Sequence, residues 1–110
     1  MTRATEPAYL YLTTTGRRSG QPREIEIWFT ERDGRYYVIA ETGARARWVR
    51  NLQVNPRVRW RVAEVSFSGQ ARVVDVAAEP ALNGAVQALS REKYGWGEGL
   101  VVELIPDADA

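Results

Sequence analysis

The sequence contains no cysteine and no histidine among its 110 residues. Disulfide bonds, a thiolate nucleophile and a histidine general base are therefore excluded, and so are metal sites built on thiolate or imidazole ligands. Lysine is nearly absent as well, since Lys93 is the one lysine among 15 basic residues. If the chain is an enzyme, we expect a cofactor to carry the reaction, and we expect no metal.

Long apolar runs are also missing. No run approaches the ~20 residues that a membrane span needs, and residues 1–7 lack the apolar stretch of a secretory signal, so we expect a cytoplasmic protein without a membrane span. The formal net charge of +1 argues against a protein that coats nucleic acid. The length predicts a single domain across residues 1–110.

Alternating apolar and polar residues predict a mainly β protein with two helices. Asp33-Gly34 is typical of a hairpin turn, and Gly95 is typical of a helix end. Most connections are too short for the crossover helix of a parallel sheet, so we expect a small antiparallel barrel whose closure leaves no exposed edge strand. The predicted strands are 9–14, 24–30, 35–40, 57–63, 65–74 and 100–105, and the predicted helices are 44–54 and 79–94.

Residues 12–23 combine three threonines, two glycines and three arginines within twelve positions. Short hydroxyls, glycines that permit close approach of the backbone, and forked guanidiniums are suited to a phosphate. The segment lacks the Gly-Lys-Ser/Thr ending of a Walker loop and the third glycine of a dinucleotide fingerprint. An ordinary tight turn with solvated arginines explains the same residues, and both interpretations stay open.

A second group of arginines lies on one predicted strand. Val58, Trp60 and Val62 share one face of that strand, which places Arg57, Arg59 and Arg61 together on the other. We expect Glu24 and Glu26 on another strand to pair with these arginines across the sheet.

Three motifs together resemble one known family: residues 12–23, then Ile27-Trp28-Phe29 ahead of Asp33-Gly34, then residues 48–58. In order and spacing they resemble the deazaflavin-dependent nitroreductases, which are split-barrel flavin and deazaflavin oxidoreductases. The resemblance implies a six-stranded antiparallel split β-barrel of the FMN-binding, pyridoxamine-phosphate-oxidase-like type, usually a homodimer. It also implies an enzyme that binds F420 and passes a hydride from the reduced cofactor to a quinone, a nitroaromatic or an activated double bond.

The resemblance implies site residues too, but no catalytic side chain, because the cofactor carries the hydride. Trp48, Asn51 and Asn55 are interpreted as structural. The residues implied for the phosphate and tail are Thr15, Gly16, Arg17, Arg18, Ser19, Gly20 and Arg23; those beside the ring are Trp28, Ala40, Glu41, Thr42, Gly43 and Ala44; and those of the substrate pocket are Tyr94 and Trp96.

The sequence departs from the family pattern at residues 41–44, which read Glu-Thr-Gly-Ala where many relatives have Ser-Lys-Gly-Gly. A cation near the anionic cofactor is lost and a carboxylate is added, with Arg45 or Arg47 as possible substitutes. FMN is therefore the alternative cofactor. A non-catalytic module that binds a ligand or single-stranded nucleic acid is a further alternative, which the near-neutral charge disfavours.

Overall fold

The structure, a computed structural model, describes residues 7–108. Within that range the chain forms seven strands, one short 3-10 turn and two α-helices. In chain order these are β1 (Tyr9–Thr15), β2 (Pro22–Trp28), β3 (Thr30–Arg32), β4 (Arg35–Ala40), the turn Gly43–Arg45, α1 (Arg47–Val54), β5 (Arg57–Val62), β6 (Val65–Val73), α2 (Pro80–Tyr94) and β7 (Leu100–Pro106).

All strands belong to one antiparallel sheet with the order β2-β1-β5-β6-β7-β4-β3, which curls into a half-barrel. The predicted fold class, mainly β with two helices, is confirmed. The prediction of six strands is wrong by one, because the predicted strand 24–30 is two strands, β2 and β3, separated by Phe29. The expected closure is also wrong: in the described part of the chain, β2 and β3 are free edges of the sheet.

Phe29 joins the two edges of the sheet and is held by the end of α2. Its N–H donates to the Tyr94 hydroxyl at 3.0 Å, and Lys93 Nζ donates to its carbonyl oxygen at 3.0 Å. The same hydroxyl lies 2.6 Å from the carbonyl oxygen of Ala8 and 2.8 Å from that of Phe29, and it can donate to either. The N–H and C=O of Phe29, which lies between the two strands, therefore form hydrogen bonds with side chains of α2.

The core lies on the concave face of the sheet. Alternate residues of β1, β5 and β7 point inward, as the period of two requires. Val49 and Leu52 of α1 pack on them from one end of the half-barrel. Fully burying one such side chain stabilises the fold by about 1.5–3 kcal/mol. The inward residues of the three strands are Leu10, Leu12, Val58, Trp60, Val102 and Leu104.

The helix α2 packs on the opposite, convex face, where Val86 meets Tyr37 and Val101. Its predicted end is confirmed by Gly95, which adopts the left-handed conformation (φ 79°) that favours glycine. The helix α1 starts at Arg47 rather than 44, since Gly43–Arg45 forms a 3-10 turn and Ala46 is extended (φ −62°, ψ 137°).

A buried carboxylate lies on the convex face. Glu103, 1% exposed, accepts hydrogen bonds from the Tyr37 hydroxyl at 2.7 Å, from Arg72 Nε at 2.6 Å and from Arg35 Nη1 at 3.3 Å. Burial alone raises the pKa of Glu103, but the hydrogen bonds from Tyr37 and Arg72 outweigh it and hold the pKa below its ordinary value. Arg72 also forms a bidentate pair with Glu79, at 2.6 and 3.0 Å.

The predicted pairing of Glu24 and Glu26 with the β5 arginines is wrong, because β1 lies between β2 and β5. Arg57 instead forms a bidentate pair with Asp107, with both N–O distances at 2.8 Å. Arg61 lies over the ring of Tyr11, 4.5 Å from its centroid, and the Tyr11 hydroxyl donates to Glu26 at 3.2 Å. The ring of Tyr11 thus lies between the guanidinium of Arg61 and the carboxylate of Glu26.

Candidate functional site

The turn between β1 and β2 is closed by its own hydrogen bonds. Gly16 N–H donates to the carbonyl oxygen of Gln21 at 2.8 Å, and Gly20 N–H donates to that of Gly16 at 2.8 Å. Ser19 Oγ accepts from the Gln21 N–H at 3.1 Å and from Arg23 Nη2 at 3.4 Å. A Cβ on Gly16 would lie 2.7 Å from Ser19 Oγ and 3.3 Å from the Gln21 carbonyl oxygen, so any larger residue would displace the Ser19 hydroxyl from its place in the turn.

Asn51 of α1 ties this turn to the helix. Its Oδ1 accepts from the backbone N–H of Arg17 at 3.1 Å and from Arg17 Nη1 at 3.0 Å, while its Nδ2 donates to Thr14 Oγ1 at 3.2 Å. Asn51 is 5% exposed and Thr14 is 1% exposed. Asn51 therefore uses both ends of its amide, which agrees with the structural role expected for it. Asn55 is structural as well, since its Oδ1 accepts from the Arg57 N–H at 3.1 Å.

A groove with a volume of about 880 Å³ lies between this turn, β2 and α1. We call it the arginine groove, because its lining, as far as residues 7–108 contribute to it, contains five arginines and a single carboxylate, Glu24. Arg47 and Arg50 come from α1, where a spacing of three places them on one face of the helix. The other three are Arg17, Arg18 and Arg23.

A second groove of about 600 Å³ follows directly along β2, and Trp48 lines both. We call it the aromatic groove. Trp28, 40% exposed, stacks on Tyr94 with ring centroids 4.3 Å apart and planes at 3°, and it meets Trp96 edge-on at 6.3 Å. The wall consists of Tyr9, Glu26, Ile27, Trp28, Ile39, Ala40, Glu41, Thr42, Ala46, Trp48 and Trp96.

The structure brings most of the sequence-predicted site residues to these two grooves. Gly43 and Ala44 lie in the 3-10 turn beside the aromatic groove and are not part of its wall. Thr15 and Gly20 line a separate depression of about 390 Å³, together with Arg57 and Arg59. Gly16, Arg17, Arg18, Ser19 and Arg23 line the arginine groove, and Trp28, Ala40, Glu41, Thr42 and Trp96 line the aromatic groove.

Tyr94, the other residue expected in the substrate pocket, lies behind Trp28 rather than in the wall of the aromatic groove. Trp96 is held by the loop that follows α2: Ser90 Oγ donates to its carbonyl oxygen at 2.5 Å. Gly99 (φ 121°) approaches β4 so closely that a Cβ there would lie 2.5 Å from the Ala40 carbonyl oxygen. The loop therefore presents Trp96 at a fixed place beside β4.

Sequence reasoning missed two groove residues on α1. Arg50 is not among the predicted site residues, and Trp48, which is predicted to be structural, lines both grooves. The spacing of Arg47 and Arg50 was a usable signal, because residues three apart share a helix face. Arg47, considered as a replacement for a lost lysine, does line the arginine groove.

Two negative findings concern residues 7–108. No helix in that range is long and apolar enough to cross a membrane. No three acidic side chains in the same range come together as candidate metal ligands.

Comparison with known proteins identifies the family of the chain. A sequence profile for F420H(2)-dependent quinone reductase matches residues 2–96. An F420H(2)-dependent quinone reductase from Mycobacterium tuberculosis is 32% identical over 71 residues, which cover 62% of this chain and 48% of that protein. The chain thus spans about half the length of the curated relatives it matches.

Solved structures agree on the fold. An F420-H2 dependent reductase (FDR-A) superposes with a TM-score of 0.74 at 21% identity, covering 88% of this chain and 93% of its own. The heme storage protein HutZ from Vibrio cholerae superposes with a TM-score of 0.77 at 23% identity, and the match covers 97% of this chain and 86% of HutZ. At these identities the likeness establishes the split-barrel fold alone, whereas the profile spans most of the sequence. The chain belongs to the F420H(2)-dependent quinone reductase family.

Proposed function

We propose that this chain binds F420 and uses the reduced cofactor to reduce a quinone-type acceptor. One observation carries the proposal: a groove lined by five arginines continues into a groove lined by tryptophans, with Trp48 in both walls. F420 has the matching composition, since an anionic phosphodiester and an acidic tail are attached to a flat ring. The family membership supports the same assignment.

The arginine groove fits the anionic part of the cofactor. Guanidiniums bind phosphate and carboxylate through paired N–H donors, and a cluster of them concentrates positive potential in a chain whose net charge is only +1. Arg17 is already oriented, because Asn51 holds one of its guanidinium nitrogens. Glu24 in the lining opposes binding of an anion, so the arginines must outweigh it.

The aromatic groove fits the ring. Trp28 and Trp48 offer flat apolar surfaces, and the backbone of residues 40–42 lies at the edge of the groove, where its N–H groups can donate to ring carbonyls. When bound, the reduced deazaflavin supplies the hydride. The side chains hold the ring flat and exclude water, and Trp96 and Tyr9 form the part of the wall that remains for the acceptor.

Tyr94 has a supporting role in this proposal. Its ring stacks on Trp28 from behind, and its hydroxyl fixes the backbone at Phe29. We also propose that the chain forms a homodimer. A structural relative described as a domain-swapped dimer, with a TM-score of 0.73 at 20% identity, supports this.

Titration of the purified protein with F420, followed by fluorescence, tests the binding. We expect saturable binding that weakens about tenfold in Arg50→Gln, because one charged hydrogen bond is lost. Arg32→Gln is the matched control, since Arg32 lies on β3 outside both grooves. Oxidation of reduced F420 by a soluble quinone then tests turnover. No binding at tens of micromolar, or tighter binding of FMN, would overturn the assignment.

A further inference from the structure

Among residues 7–108, the strand β2 pairs with β1 on one side only, because it is the first strand in the order of the sheet. All seven of its consecutive residues line the two grooves: four line the arginine groove and three line the aromatic groove. A groove that lay against one face of a strand would meet alternate residues. The grooves therefore follow the free edge of β2, where its unpaired backbone groups are exposed.

The register identifies the backbone groups that point into the grooves. The Gly16 N–H donates to the Gln21 carbonyl oxygen, and the pairing continues with Thr15 opposite Pro22. Hydrogen-bonded and non-hydrogen-bonded positions alternate along an antiparallel pair, so every second residue from Pro22 directs its N–H and C=O away from β1. Proline is tolerated at such a position, because it has no N–H to contribute to the ladder. The outward residues are Pro22, Glu24, Glu26 and Trp28.

The N–H groups of Glu24, Glu26 and Trp28 form a row of donors along the edge. Within residues 7–108 the structure gives none of the three a hydrogen-bond partner. Successive donors are about 6.6 Å apart, because two strand residues separate them. Because the proposed function places the ring in the aromatic groove with Glu26 and Trp28, the outward groups left for the tail are those of Pro22 and Glu24 in the arginine groove.

We propose that the free edge of β2 at Pro22 and Glu24 binds the acidic tail of F420 as an added strand, an inference that rests on the proposed function. The tail is a chain of γ-linked glutamates, and each unit has five main-chain bonds, which extend to about 6 Å. Successive amides of the tail are therefore spaced nearly like the outward groups of Pro22 and Glu24, which lie two residues apart on β2. Peptides that add a strand to a sheet edge gain affinity from main-chain hydrogen bonds in this way.

The side chains around the edge decide which way the tail carboxylates point. Arg47 and Arg50 face β2 across the arginine groove, and Arg17 lies at its end. Glu24 lines the same groove, and Glu26 lines the next one while accepting a hydrogen bond from Tyr11. The carboxylates of the tail must therefore turn towards α1 and away from both glutamates, which leaves the amides of the tail directed at β2.

A pair of substitutions at one position separates the backbone contribution from the charge. Glu24→Pro removes an outward N–H and leaves the ladder with β1 intact, as Pro22 already does two residues earlier. Glu24→Gln removes the same charge and keeps the N–H. We expect E24Q to bind tailed F420 at least as tightly as the wild type does, and E24P to bind it five- to tenfold more weakly than E24Q.

A cofactor that ends at the phosphodiester should bind E24P and E24Q equally. Equal affinity of the two variants for tailed F420 would overturn the inference while the proposed function stands. If the wild type binds neither the tailed cofactor nor the form that ends at the phosphodiester, the proposed function itself is contradicted.

Amide hydrogen exchange measured by NMR on the wild type supplies a test that does not depend on folding of the proline variant. We expect tailed F420, and a γ-linked glutamate peptide without the ring at millimolar concentration, to slow exchange at Glu24. The inference is wrong if neither probe slows exchange there. It is also wrong if the Glu24 amide is already protected in the free protein, because a second copy would then cover the edge.

Discussion

The Oδ1 atom of Asn51 accepts two hydrogen bonds from Arg17, one from the backbone N–H at 3.1 Å and one from guanidinium Nη1 at 3.0 Å. The two residues are 34 positions apart, so the contact joins the turn after β1 to α1. It also fixes the direction of one guanidinium in the arginine groove. A single buried amide thus links the shape of the turn to the charge distribution of the groove.

Asn51→Ala should lower both stability and cofactor affinity. The substitution removes all three hydrogen bonds of the Asn51 side chain and leaves Thr14 Oγ1 buried without this donor, so we expect unfolding to become easier by about 1–3 kcal/mol. Because Arg17 loses its orientation, F420 should bind about tenfold more weakly in the folded variant. Thermal unfolding and fluorescence titration measure the two effects. Gln53→Ala, on the exposed face of the same helix, should change neither.

Tyr94→Phe should destabilise the junction between β2 and β3. The variant keeps the ring that stacks on Trp28 but loses the hydroxyl to which the Phe29 N–H donates, at a cost of about 1–3 kcal/mol. Chemical denaturation measures the loss. Tyr9→Phe, at a tyrosine that is 44% exposed, is the matched control. Equal stability of Y94F and Y9F would contradict the role assigned to the Tyr94 hydroxyl.

Acid should destabilise the fold partly through Glu103. Its pKa in the folded state lies below the ordinary value of about 4.3, so its contribution is complete above that pH and is lost as the pH falls through the folded-state pKa. In Glu103→Gln we expect lower stability at neutral pH and an acid slope shallower by up to about 1.4 kcal/mol per pH unit. Denaturation curves between pH 7 and pH 3 measure the slope, with Glu64→Gln in the exposed turn after β5 as the control. An unchanged slope in E103Q would rule out this contribution.

High pH should destabilise the fold through Tyr37, whose hydroxyl donates to Glu103. Burial, and then the hydrogen bond to Glu103, raise the pKa of Tyr37 to about 12. Because the unfolded value is about 10, the stabilisation is complete below pH ~10 and is lost as the pH rises through 12. Tyr37→Phe should therefore be less stable at pH 7 and lose less on going from pH 9 to pH 12. Ultraviolet absorbance of tyrosinate, followed together with unfolding, detects the difference.

Most of the fold could be predicted from local patterns. Alternation along β1 and β5 identifies the buried residues, and Asp33 (φ 55°) and Gly34 (φ 78°) form the predicted turn with positive φ at both positions. The break at Phe29 could not be predicted, since Phe29 continues the apolar alternation of β2. The Phe29 N–H donates instead to the hydroxyl of Tyr94, 65 residues further along the chain.

The candidate site could likewise be predicted only in part from local patterns. Residues of the turn, such as Gly16 and Arg23, are close in sequence and could be grouped from sequence alone. Arg50 reaches the same groove only because the sheet curls and carries α1 across to β2, which no local pattern encodes. Thr15 was grouped with the turn but lines a separate depression with residues of β5, because side chains alternate between the two faces of a strand.

The junction at Phe29 limits how far apart the two edge strands can lie. A single residue connects the two edge strands, so Trp28 and Thr30 can separate by no more than about 7 Å at that end. The opposite end of β2 is joined to α1 by the hydrogen bonds of Asn51 rather than by the chain itself. The end of β2 at Trp28 therefore has a covalent limit, whereas the end at the arginine groove is held by hydrogen bonds alone. In the proposed complex the ring lies at the covalently limited end, and the acidic tail lies at the end where hydrogen bonds can be exchanged.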